Sequence, residues 1–200
     1  MRRLPLLALA GLLLAGCVQP ATSELARSRQ PYCEYRGDPG TKFVVLMAQA
    51  VPSASQLPCI ELLPAGWTVS DVFVRNGRAR FALNSDRVGM HAVQVVLEPT
   101  CQLGGAKVTR VPSDEPGTRR FERIGEVRPG IGFTGTRFYV FQGGCVSYQF
   151  QFNSSEERAQ LIGEVTLSLS FVTREAMRGL IREATHGRAD LDTSTDAGSR

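Results

Sequence analysis

RFYVFQGGCVSYQFQF, residues 137–152, decides the fold. Arg137 to Gln142 is aromatic and β-branched, and Gly143-Gly144 turns it into a second run. In that run Val146, Tyr148, Phe150 and Phe152 alternate with Ser147, Gln149 and Gln151. A period of two over seven residues is a strand with one buried and one wet face, and a tight glycine turn makes its neighbour antiparallel. Upstream, Trp67 to Arg75 and Arg78 to Leu83 flank Asn76-Gly77, whose readiness for the positive φ values of a type I′ turn predicts a hairpin. Val93, Val95 and Leu97 alternate in a further strand, and Arg119 to Val127 reads as another.

After residue 152 the period changes. Ser154 with Glu157 three residues on has the capping-box pattern, followed by Leu161, Ile162, Val165 and Leu169 at helical spacing. Thr173 precedes a second segment in which Met177, Leu180, Ile181 and Ala184 recur on one face. Lys42 to Gln49 (KFVVLMAQ) is a short apolar run between Pro39-Gly40 and Pro52, read as a buried strand. Gln102 to Gly117 is rich in Gly and Pro and reads as an exposed loop. The expected class is α+β, an antiparallel β-sheet meander packed by one or two C-terminal α-helices over residues 42–184. Residues 185–200 are polar and read as a disordered tail.

The N-terminus carries a different message. Arg2 and Arg3 precede the apolar stretch Leu4 to Ala15, which at about 12 residues is too short for the roughly 20 that span a bilayer. It fits the core of an export signal. Leu14-Ala15-Gly16-Cys17 then resembles the bacterial lipobox, which implies cleavage after residue 16 and a diacylglyceryl thioether on Cys17. Two acyl chains make a stable anchor. Residues 1–16 are thus the signal and 17–41 the anchor and tether, and the resemblance implies a chain held on the extracytoplasmic face of a cell membrane.

Four cysteines remain: Cys33, Cys59, Cys101 and Cys145. An even number in an exported chain argues for two disulfides, with three pairings open. Cys33–Cys59 with Cys101–Cys145 is preferred, because Cys101 follows one strand of the expected sheet and Cys145 joins two others. No C-x-x-C occurs and only His91 and His186 are available, so no metal site is expected. No cofactor is expected either. Gly130 to Gly135 spells G-x-G-x-x-G, but a strand rather than a helix follows it, and it reads as a glycine turn.

Of 23 basic residues Arg2 and Arg3 lie in the signal, which leaves 21 against 19 acidic ones. That balance argues against nucleic acid as a partner. Lys107, Arg110, Arg119, Arg120, Arg123 and Arg128 are nevertheless concentrated mid-chain; all but Arg128 are taken as a candidate contact for anionic lipid headgroups or wall polymers. Asp114-Glu115 lies in the loop and is expected to be solvated. His91 is the one histidine inside the expected fold and reads as a turn or edge residue rather than a general base.

VPSASQLPCIELLPAGW (51–67), VPSDEPGTRRFERI (111–124) and FTGTRFYVFQGGCVSYQF (133–150) resemble segments of uncharacterised envelope proteins of actinobacteria, across most of residues 42–183. The resemblance implies export and a single folded unit, and brings no catalytic residues. The expected function is a non-enzymatic binding or interaction module of the cell envelope, with an envelope protein or anionic polymer as partner. Carriage of a lipid or small apolar ligand by the aromatic strands is the alternative, and a hydrolase the third.

Overall fold

The computed structural model describes residues 31–33, 41–104, 108–128 and 132–191. In chain order the elements are α1 (Thr41–Ala50), β1 (Gln56–Ile60), β2 (Trp67–Arg75), β3 (Arg78–Ser85), β4 (Gly89–Glu98), β5 (Val108–Val111), β6 (Arg119–Arg128), β7 (Gly132–Phe141), β8 (Gly144–Phe152), α2 (Arg158–Ser168), β9 (Leu169–Thr173) and α3 (Arg174–Ala184). Seven strands form an antiparallel sheet in the order β2-β3-β4-β8-β7-β6-β5, and β1 pairs with β9 in a second, two-stranded sheet. The large sheet is two meanders, β2-β3-β4 and β5-β6-β7-β8, joined where β4 meets β8. The chain therefore leaves β4, crosses the sheet and restarts at its far edge.

Alternation sorts the side chains. Phe81, Val95, Tyr148 and Tyr139 occupy the inner face, all buried. Against it pack α1, through Phe43 on Phe81, α2, through the Arg137–Thr166 bond, and the β1–β9 ribbon, whose Phe171 ring lies 5.3 Å from Tyr139 and stacks on Tyr148 at 6.4 Å. α3 follows β9 and is tied to α1 through Arg174. The opposite, outer face carries Arg80, Gln94, Gln149 and Thr136 in strand register.

Several expectations are corrected. Lys42 to Gln49 lies in a helix, not a strand: Phe43, Val44, Met47, Ala48 and Val51 are buried while Leu46 is 47% exposed. An unbroken apolar run conceals its period, and the buried stripe has helical spacing. The two C-terminal helices are not a continuous pair. α2 stops at Ser168, Leu169 turns extended, and β9 intervenes to pair with β1. The capping box does not form: Glu157 is the N-cap with φ 54° and no side-chain cap, while the Ser154 hydroxyl accepts from the Glu156 N–H. Thr173 does cap α3, accepting from the Ala176 N–H at 3.1 Å. In the Asn76-Gly77 hairpin only Gly77 has positive φ, so the turn is not type I′. The expected loop 102–117 contains β5, and Gly132 to Gly135 is the start of β7 rather than a turn. The domain also extends past its expected ends. Tyr32 bridges Ile60, and Leu191 is buried with Asp190 ion-paired to Arg178 and Arg182. Positions 185–191 are exposed apart from Thr185 and Leu191 but are held by these contacts, whereas the tether 18–30 and 192–200 lie outside the described residues.

Candidate functional site

After β4, residues 99–104 run over the outer face, and two devices hold them there. Cys101 is joined to Cys145 of β8, with Cα atoms 5.5 Å apart. Cys33 is joined to Cys59, at 4.9 Å, so both bridges follow the preferred pairing. The second device is Arg123 of β6. Its Nη2 donates to the carbonyls of Gln102 and Gly104, each at 3.2 Å, and its guanidinium lies 5.1 Å above the Phe138 ring. The strapped segment walls a depression of about 460 Å³, which shares Arg123, Thr136 and Gln149 with a neighbouring one of about 240 Å³.

The floor is a row set by register: Gln94 opposite Gln149, Gln149 opposite Thr136, Thr136 opposite Arg123. Arg80 joins the row from β3 through a 3.4 Å hydrogen bond from Nη1 to Oε1 of Gln94. Two amides and a hydroxyl on three adjacent strands thus form a polar trough with a guanidinium at each end. The wet side of β8 was legible as Gln149 and Gln151. Nothing in the sequence marks Gln94, Thr136 or Arg80, because only the strand order brings them alongside.

The candidate arginine cluster is not one patch. Arg110, Arg119 and Arg123 belong to the outer face, but Arg120 alternates to the other side. There it is ion-paired to Asp114 at 3.1 Å and Glu122 at 2.8 Å. Glu122 also accepts from Arg137 at 2.9 Å, and Arg137 donates to Thr166 of α2 at 3.0 Å. Arg120 is therefore committed to an internal network, and Lys107 lies outside the described residues, as does Cys17.

Asp114 and Glu115 are not simply solvated. Burial raises the Glu115 carboxyl, and the neighbouring Asp114 charge pushes the same way. Burial also acts to raise Asp114, but a backbone hydrogen bond, the Arg120 charge and the Tyr139 hydroxyl (3.2 Å) outweigh it and hold that carboxyl below its ordinary 3.8. Since the folded value lies below the unfolded one, the ionised form contributes stability above pH 3.8, lost as pH falls through the folded value. Asp114→Asn is expected to be less stable than the parent at pH 6, with the gap closing below about pH 4 in melts recorded from pH 2 to 7. A gap independent of pH would contradict this.

His91 has φ 51° and pairs through Nε2 with Asp71 at 2.6 Å, on the surface. Among the described residues no hydroxyl or thiol hydrogen-bonds to its ring. Of the aromatic strand residues, Tyr139, Phe141, Tyr148, Phe150 and Phe152 lie in the core, whereas Phe138 faces the outer side under Arg123. An apolar groove of about 220 Å³ does open between α2 and β6–β7, lined by Phe133, Phe150, Ile124, Val127 and Ile162. Among the described residues no helix is long and apolar enough to cross a membrane. Comparisons with family models, with curated proteins and with solved structures find no match for this chain.

Proposed function

We propose that the chain is an extracytoplasmic lipoprotein, tethered to a membrane through acylated Cys17, whose folded body is a non-enzymatic binding module of the cell envelope. One observation carries the binding reading: α1, α2 and the β1–β9 ribbon pack on one face of the seven-stranded sheet, while the other holds the polar trough under a disulfide-fastened strap. A merely solvated face has no need of a covalently held wall. Two disulfide pairs suit an oxidising compartment outside the cytoplasm. The Arg-led apolar stretch ending at Cys17 supplies the route.

The test combines address and activity. The native chain should partition into a detergent phase and the Cys17→Ser chain into the aqueous phase. The aqueous form should still sediment with isolated bacterial envelopes, and Gln94→Ala with Gln149→Ala should abolish that sedimentation. An unmodified chain in the aqueous phase, or no sedimentation with envelopes, refutes the corresponding half.

Carriage of an apolar ligand is the second reading, and the groove beside α2 is what favours it. Its 220 Å³ falls short of the roughly 300–1,000 Å³ typical of small-molecule pockets, so the polar face ranks first.

A further inference from the structure

We infer that the ligand of the outer-face trough is an acidic polysaccharide chain, laid across the strands with its carboxylates on the arginines and its hydroxyls on the amide row. This deepens the binding-module reading and rests on it.

Charge supplies the first argument. Arg75, Arg80, Arg110, Arg119 and Arg123 all belong to the outer face by register. Among the described residues none of the five is ion-paired to a carboxylate. Arg78 on the same face is matched, to Glu98 at 3.3 Å. The face therefore offers cations in excess, although the mature chain as a whole is nearly balanced.

Spacing supplies the second. Arg80 on β3 and Arg123 on β6 are separated by β4, β8 and β7, four strand spacings or about 19 Å at about 4.8 Å each. No single small anion reaches both. A chain with repeated charges does, and its long axis would cross the strands along the row.

Chemistry between the arginines supplies the third. Gln94 Oε1 already accepts from Arg80 and Gln149 Nε2 donates to Ser147 Oγ at 3.3 Å, which leaves the Gln94 amide N–H groups, the Gln149 amide oxygen and the Thr136 hydroxyl to offer both donors and acceptors. These are the complements of sugar hydroxyls, which both donate and accept. A phosphate polymer backbone has acceptors only and would leave the Gln149 amide oxygen unmatched. An apolar chain would leave these groups unsatisfied, at a cost for every buried polar atom. Guanidinium pairs with carboxylate through two parallel hydrogen bonds, which fixes register along the chain as well as adding affinity. Arg123 spends Nη2 on the strap, and among the described residues its Nε and Nη1 have no hydrogen-bond partner.

Titration calorimetry of the full chain in detergent micelles, at low salt, tests this with an oligogalacturonate as the probe. A neutral malto-oligosaccharide of the same length and inorganic polyphosphate are the comparisons. The acidic sugar is expected to bind, with each comparison at least about tenfold weaker. Arg80→Gln should cost about tenfold, the scale of one charge-assisted contact. Gln94→Ala with Gln149→Ala should cost at least as much. Arg80 lies outside the disulfide-held strap, so its variant should keep the parent melting transition. Arg182→Gln, which removes the same charge from α3, should leave binding unchanged. Equal binding of polyphosphate overturns the inference in favour of unselective charge attraction, and equal binding of the neutral sugar overturns the role of the arginines. Sedimentation with envelopes but no binding of oligogalacturonate removes the acidic glycan and leaves the module intact. Loss of envelope sedimentation itself removes the module.

Discussion

Replacing Arg174 with Met is expected to lower the stability of the domain by about 3 kcal/mol, a large part of the ~5–15 kcal/mol typical of a folded domain. Arg174 is 7% exposed, and its position needs an explanation. It is the first residue of α3, where a positive charge opposes that helix's own dipole. The compensation lies on another helix. Nη2 donates to the Ala48 carbonyl at 2.6 Å and Nε to the Pro52 carbonyl at 3.1 Å. Ala48 is in the last turn of α1, where carbonyls lack intrahelical partners and the dipole favours a cation. The Arg174 backbone N–H adds a bond to Ser55 at 2.9 Å. One residue thus closes the C-terminal end of α1, and the turn after it, onto the β9–α3 junction. Met keeps most of the stem volume and supplies no donor, so the loss includes the two side-chain hydrogen bonds. Lys restores the charge but cannot present two donors in a fixed fork, and should recover about half. Denaturant midpoints of the three proteins decide it; an unchanged midpoint for Arg174→Met would show that the buried cation contributes nothing.

How much of this was legible follows from whether the deciding contact is local. The β8 strand, the turn before it and the Thr173 cap depend on residues within a few positions of each other, and all three are present, although the turn is Gln142-Gly143 rather than Gly143-Gly144 and Ser147 of the expected wet side is buried. Helix α1 was misread because almost every residue of KFVVLMAQ is apolar, so nothing marked Leu46 as the exposed side until packing chose. β9 was hidden because Leu169 continues the apolar spacing of α2. Its extended conformation is stabilised by β1, whose residues lie more than a hundred positions upstream. The arginine cluster holds a different lesson. Neighbours in sequence on a strand are not neighbours in space: alternation alone sends Arg120 away from Arg119 and Arg123, and that could have been read from the strand assignment. The trough could not. Gln94 and Gln149 meet because β4 pairs with β8 across the intervening meander, and no periodicity encodes that pairing.

The second large effect is expected at Gly143, and Gly77 is its natural control. Both are the second residue of a two-residue hairpin turn, with φ 69° and 76°, so an alanine at either pays a similar left-handed cost of about 1 kcal/mol. Their surroundings differ. A Cβ at Gly77 meets nothing within 4 Å, whereas one at Gly143 would come within 2.7 Å of the Ser53 carbonyl carbon and closer still to its oxygen. That obstacle is backbone and cannot swing aside. The β7–β8 turn would have to lift off the 53–55 segment. It would then lose the Ser53 hydroxyl bond to the Gly143 carbonyl (2.6 Å) and the Ser55 N–H bond to the Gln142 carbonyl (3.1 Å). At about 1 kcal/mol for each bond, added to the shared φ cost, Gly143→Ala should lose about 3 kcal/mol against about 1 for Gly77→Ala. The contrast matters more than either value, since it separates backbone strain from docking. Cys145 lies two residues beyond this turn, so a displaced hairpin end would also disturb the strap over the trough. Equal losses in matched denaturant titrations would mean that the 53–55 segment yields freely, and the turn would then be an independent hairpin end rather than part of the frame.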